Sequence, residues 1–262
     1  MKKYLTMSLL ALITMAMMSC THVKIGGKDW SVFNLANGHT NDTPTQVHEV
    51  GGATVLSPFD ELNVAGPFNV IYEQGEGYTV RVDGTTQQLE KMTIYVKDGE
   101  LYIDQRKNEP DGTFDGMRIF VHAPIIEGIA IAGSGSVTAP SNLNVNDFSL
   151  EVAGSGNITL SQLTCHDLDI EIAGSGNVTT GAVQATHVKN EIAGSGNIDI
   201  AGLSCKRIDN DIAGSGDITL DNLNVDLVKT DIAGSGDVTL RGKVGSHNED
   251  IAGSGKVHIN EK

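Results

Sequence analysis

Residues 151–180 read EVAGSGNITLSQLTCHDLDIEIAGSGNVTT, and the block at Ala153-Gly154-Ser155-Gly156 returns at Ala173-Gly174-Ser175-Gly176. The same tetrapeptide starts again at Ala132, Ala193, Ala213, Ala233 and Ala252, so seven copies follow one another at spacings of 21, 20, 20, 20, 20 and 19 residues. A period of this length marks a solenoid or an array. Aligned on the Ala, the apolar residues fall into columns. One place before it stand Ile131, Val152, Ile172, Ile192, Ile212, Ile232 and Ile251, and five places after it stand Val137, Ile158, Val178, Ile198, Ile218, Val238 and Val257. Leu163, Val183, Leu203 and Leu223 form a further column, and Leu168, Val188, Ile208 and Val228 another. The alternation has period two but changes phase twice in each unit, with Gly at a third bend. That predicts three short strands per unit joined by corners. The expected fold is all-β, a parallel β-helix with one coil per 20-residue unit and coils stacked at about 4.8 Å.

The composition agrees with this reading. Gly makes up 31 of the 262 residues, well above the usual ~7%, and fourteen of those glycines lie in the tetrapeptides. Gly reaches backbone angles closed to other residues, so the block is expected to turn the chain at the same place in every coil. Pro, which would remove a ladder hydrogen bond, does not occur after Pro140. With 39% hydrophobic residues the chain is too apolar for a disordered acidic tail, and with a net charge of -15 it lacks the basic footprint of a nucleic-acid binder. Its three Cys cannot make a disulfide scaffold. Cys165 and Cys205 share one inward column two coils apart, about 10 Å, beyond disulfide reach. They are expected to be buried free thiols.

At the N-terminus, Lys2 and Lys3 precede a mostly apolar run from Leu9 to Met18, followed by Ser19 and Cys20. This reads as a secretory signal over residues 1–19 and not as a membrane span. A small residue before a Cys resembles a bacterial lipobox, with Met17 where Leu is usual. Cys20 is therefore the expected lipid attachment site, and the membrane is a partner through that lipid. The location expected is the cell envelope, as an outer-membrane lipoprotein. Thr21 to Ile25 carry no acidic cluster, so either leaflet stays open. Residues 20–57, rich in Gly, Asn and Thr, read as a flexible tether. Trp30 and Phe33 read as a local aromatic pair within it.

Residues 58–262 read as one β-helix domain, irregular with a cap over 58–128 and regular over 129–262. In the first part, strand-like alternation runs over 62–64, 68–72, 78–82, 92–96, 101–104 and 117–121. Turn signals such as Asp83-Gly84, Asp98-Gly99 and Asp111-Gly112 separate these runs. Val64-Ala65-Gly66-Pro67-Phe68-Asn69-Val70 reads as a degenerate copy of the repeat, so the solenoid is expected to begin near Phe59. The Phe and Tyr concentrated there are expected to cap its end.

Phe59-Asp60-Glu61-Leu62-Asn63-Val64, then Phe68-Asn69-Val70, then Asp98-Gly99-Glu100-Leu101-Tyr102-Ile103, then repeated Gly-Ser-Gly followed by Asn or Asp, resemble the family called "putative auto-transporter adhesin, head GIN domain". The resemblance covers residues 58–258. It implies a right-handed β-helix in bacterial envelope proteins, often lipoproteins, and supplies no catalytic residues.

The most regular polar feature stands two places before the Ala: Glu151, Glu171, Glu191, Asp211, Asp231 and Asp250. At coil spacing, neighbours in this column repel by roughly 1 kcal/mol in water. The plainer reading is a solvated charged face that guards a β surface. The sharper one is weak binding of divalent cations such as calcium by hard carboxylate oxygens. A second column, Asn157, Asn177 and Asn197 continuing as Asp217 and Asp237, reads as a ladder between coils. The competing class is a carbohydrate-active β-helix enzyme. Such a site needs a cleft with aromatic platforms and unlike acid and base groups, and would be expected around Tyr72, Tyr78, Tyr95 or Tyr102 with a carboxylate pair. The regular coils contain one aromatic residue, Phe148, and their carboxylate pairs are copies of one another. The expected function is therefore non-catalytic: a lipid-anchored surface for adhesion or envelope interaction, with an unidentified protein or glycan partner, no cofactor and no nucleic acid.

Overall fold

The computed structural model describes residues 23–25, 28–30, 50–106, 110, 112–260. The expected signal peptide, Cys20, Phe33 and most of the tether lie outside them. In the regular coils a strand such as Asn157–Thr164 runs along one side and a second, Asp167–Gly174, returns along another. Each strand pairs in parallel with its counterpart one repeat later, Glu151 beside Glu171 and Ala153 beside Ala173. The ladder skips Ser161, between the pairs Leu160 with Thr180 and Gln162 with Ala182. That skip is the corner that divides the first strand in two. The fold is a parallel β-solenoid.

The two glycines of the block are needed for reasons that overlap only in part. Gly174 has φ +134°, open only to Gly. Gly176 does not have a positive φ, but a Cβ there would run into the Gly156 carbonyl oxygen and Val152 of the preceding coil. Only the first glycine uses the conformational freedom expected of both. Both let two backbones approach, since a Cβ on Gly174 would likewise run into the Gly154 carbonyl oxygen.

The apolar columns point inward. Val152, Ile158, Leu163 and Leu168 are buried, as are their counterparts in neighbouring coils. Cys165 is half-buried, Cys205 is buried, and both are free thiols. Burial pushes both thiols up to about 12. The core is not wholly apolar: Asn190, Asn210 and Thr230 continue the column begun by Leu150 and Ile170. Asn190 Nδ2 donates to Asn210 Oδ1 (2.8 Å), and Asn210 Nδ2 to Thr230 Oγ1 (3.3 Å). Such hydrogen bonding is what makes buried amides tolerable.

The first half joins the same stack out of chain order. Glu61–Ala65 pairs in parallel with Gly128–Gly133 on one side and with Glu100–Gln105 on the other. Asn69–Gln74 likewise lies between Ser136–Asn144 and Arg118–Ala123. The degenerate copy at Val64 to Val70 is in register with the repeat, Val64 opposite Ile131 and Val70 opposite Val137. The next strands, however, pass to its far side. From Gln74 the chain moves to the end of the stack, where Thr79–Asp83 pairs antiparallel with Arg118–Ala123 and Met92–Lys97 with Glu100–Gln105. A single helical turn, Thr86–Leu89, closed by a Thr85/Gln88 capping box, connects them. Residues 124–127 then pass back over the inserted coil, held where the Glu127 N–H donates to the Asp60 carbonyl (2.6 Å).

The aromatic residues fill this end. Phe68 packs edge-on against Phe114 at 4.8 Å, and Phe59 against Tyr78 at 5.3 Å. The chain also enters the fold before residue 58. Ala53–Val55 pairs antiparallel with Thr79–Asp83, Val50 bridges to Val82, and Leu56 is buried. Residues 50–57, expected in the tether, thus belong to the fold, where they cover the outer strand of the cap. A separate antiparallel pair, Val23–Ile25 with Lys28–Trp30, lies within the expected tether.

Candidate functional site

Strands that end in Ala-Gly present one continuous outer face, on which alternate residues project. Because the coils are in register, Glu151, Glu171, Glu191, Asp211, Asp231 and Asp250 stack as one column. Toward the cap this column continues as Ala130, Asn63 and Tyr102. Beside it runs Asn248, Lys229, Asp209, Lys189, Asp169, Ser149, Gly128, Glu61 and Glu100.

The two halves of the face differ in charge balance. From Lys189 onward three of the acids, Glu191, Asp209 and Asp231, have basic partners. Lys189 Nζ lies 2.9 Å from Glu191 Oε1, and Lys229 pairs with Asp231. Asp209 receives Arg207 Nε at 2.6 Å and faces His187 Nε2 at 2.7 Å. Although burial pulls the other way, these groups hold the Asp209 carboxyl below its ordinary value. Toward the cap the acids crowd one another instead. Burial, then the charges of Glu191, Asp169 and Glu151, pushes Glu171 up to about 7. Burial also raises Asp169, against the pull of Lys189. Asp211, although it lies beyond Lys189, still rises to about 6 through burial and Asp231, against the pull of Lys229.

At the crowded end the small residues Gly128 and Ala130 leave a hollow of about 150 Å³, walled by Glu61 and Asn63 on one side and Ser149, Glu151, Asp169 and Glu171 on the other. The sequence reading took the column as uniform and missed this break. The signal was present, since Ala130 stands where the other repeats carry Glu or Asp, and Gly128 where they carry Ser, Asp, Lys or Asn.

None of the four candidate tyrosines lines the hollow. Tyr72 is buried and donates to the Ala123 carbonyl at 3.2 Å. Tyr78 packs on Phe59. Tyr95 and Tyr102 stack at 5.2 Å and donate to Asp104 and Glu100 respectively. Burial raises Asp104 to about 6, with the Tyr95 hydrogen bond opposing it. These rings serve the cap and one another.

The second polar column is a ladder. Asn177 Nδ2 donates to Asn157 Oδ1 (2.9 Å) and Asn197 Nδ2 to Asn177 Oδ1 (3.0 Å). Where Asp replaces Asn the ladder switches to backbone donors, Asp237 N–H to Asp217 Oδ1 and Lys256 N–H to Asp237 Oδ1, both 2.8 Å. This column joins coil to coil.

The model of the family described as "Putative auto-transporter adhesin, head GIN domain" matches residues 58–222 and 191–261, and the chain belongs to that family. A solved structure from Bacteroides fragilis, called a putative adhesin, aligns with TM-score 0.72 at 22% identity over 79% of this chain and 95% of its own. One from Parabacteroides distasonis, also called a putative adhesin, aligns with TM-score 0.68 at 22% identity over 79% and 95%. A second P. distasonis structure, called a putative lipid binding protein, aligns with TM-score 0.62 at 21% identity over 85% and 98%. At such identities they share the fold. No curated protein matches the chain.

Proposed function

We propose that this member of the head GIN domain family is a lipid-anchored cell-envelope protein whose solenoid is a non-catalytic surface for adhesion or envelope interaction. The observation that carries this reading is the outer face itself. From Glu151 to Asp250 it presents the same acidic position coil after coil. A repeated array suits an extended partner met at many equivalent points, whereas chemistry on one bond needs a unique constellation. The names of the similar structures, adhesin and lipid binding protein, point the same way. The Ser19-Cys20 junction supports an acyl anchor, since a net charge of -15 would repel an anionic membrane.

Protease shaving of intact cells, followed by blotting, tests the surface role. Digestion supports adhesion to an outside partner; full protection contradicts it and leaves an inward-facing envelope role. Palmitate labelling tests the anchor, with the label expected on the wild type and lost in Cys20→Ala.

A further inference from the structure

We propose that Asp147, His166 and Asp167 form a binding site for a divalent first-row transition metal ion. The three sit at the corner that leads into the acidic face, on adjacent coils, with Asp147 and Asp167 as register partners. His166 Nδ1 lies 3.2 Å from Asp167 Oδ2 and 4.0 Å from Asp147 Oδ1. One ligand atom from each residue falls within 4.8 Å of the others. Bonds of about 2.0–2.2 Å from a metal to imidazole nitrogen and carboxylate oxygen place neighbouring ligand atoms roughly 3 Å apart, so small side-chain rotations close this set around an ion.

Several features distinguish the cluster from the acidic column. It is not repeated: the corner reads Asn146-Asp147, His166-Asp167, Thr186-His187, Lys206-Arg207 and Asp226-Leu227 in successive coils. Among the described residues two acids and an imidazole converge in this way once, and the next two coils carry His187, Lys206 and Arg207 at the corner. The backbone beneath is held from both sides. The His166 N–H donates to the Asn146 carbonyl at 2.5 Å, and the His166 carbonyl accepts from Thr186 N–H at 2.8 Å and His187 N–H at 3.1 Å. Asn146 Nδ2 donates to Asp147 Oδ2 at 2.8 Å, while Oδ1 is the oxygen nearest the imidazole. An outer hydrogen bond of this kind orients a ligating carboxylate.

Two carboxylate oxygens with one imidazole suit zinc, manganese or cobalt better than calcium or magnesium, which prefer oxygen alone. The side chains are exposed, so solvent would complete the coordination and the ion would tie one coil to the next. This inference is independent of the adhesion reading, which would stand without it.

The test is calorimetric titration of the purified full-length chain at pH 7.5 with zinc chloride, and separately with calcium chloride. The account expects one zinc site per chain at this corner and at least tenfold weaker calcium binding. His166→Ala and Asp147→Asn should each weaken zinc at least tenfold, while Glu191→Gln leaves it unchanged. A cobalt(II) spectrum without sulfur-to-metal charge transfer separates this site from Cys20, Cys165 and Cys205. Were a variant to misfold, zinc-induced shifts of the wild-type His166 imidazole resonances give the same answer. No zinc binding, binding unchanged in His166→Ala, or a thiolate cobalt spectrum would overturn the proposal.

Discussion

The inserted coil of residues 61–74 and the regular coils after Asn157 occupy the same stack in the same register, yet they are built from different materials. In the regular coils the second glycine of each block lets neighbouring backbones approach. In the inserted coil Phe68 stands at that position, fully buried against Phe114. The difference shows that the columns, and not the tetrapeptide, define the fold. Gly is required where another close coil lies beneath, whereas Phe68 packs against the ring of Phe114.

The sharpest way to break the comparison is to impose the repeat on the irregular coil. Phe68→Gly restores the consensus block but empties a core position. It should cost about 4–5 kcal/mol, read as the urea unfolding midpoint, through the cavity and the loss of the Phe114 contact. If consensus mattered more than packing, the variant would be neutral. Next comes the reverse test. Gly174→Ala places a side chain at φ +134° and against the Gly154 carbonyl, for about 3–4 kcal/mol. Gly77→Ala, at φ +78° with open space around it, should cost only about 1 kcal/mol. Equal losses would mean that close approach between coils contributes nothing.

The polar core column offers a smaller effect. Asn210→Ile leaves the Asn190 amide without its acceptor and should cost about 1–3 kcal/mol, whereas replacing Asn190 and Asn210 together by Ile should be near neutral. An additive loss in that double mutant would show that the ladder stabilises the fold outright. The smallest effect is electrostatic. Glu171, near 7, and Asp104 and Asp211, near 6, hold protons more tightly folded than unfolded. Their contribution is full below the ordinary carboxylate range near pH 4 and is lost as pH rises through 6 to 7. The melting temperature should therefore be about 2–6 °C higher at pH 5.5 than at pH 8, with a smaller gain in Glu171→Gln.

Much of this was legible because a solenoid repeats its contacts. One alignment on Ala gave the inward columns, the two thiols, the Asn ladder and the acidic face. What the period could not carry was anything that happens once. Strand order at the cap depends on which side of residues 61–65 the chain passes, and alternation within a strand is blind to that. The hollow depends on Gly128 and Ala130 lying beside strands remote in sequence. The His166 cluster needs two corners brought together by register, and the histidines fall at different repeat positions. Asn190 and Asn210 could have been found, since they stand in the same column as Leu150 and Ile170.

The central claim is that register places residues 61–74 between coils that follow them in the chain. Paired cysteines on a background lacking Cys20, Cys165 and Cys205 test it directly. Neighbouring coils lie about 4.8 Å apart, within disulfide reach, whereas coils two apart do not. Ala65 and Ala132 are register partners, while Asp104 lies one coil beyond Ala65. Oxidation should therefore cross-link Ala65→Cys with Ala132→Cys and leave Asp104→Cys with Ala132→Cys free. Cross-linking of the second pair in place of the first would mean that the coils stack in chain order, and would contradict the account.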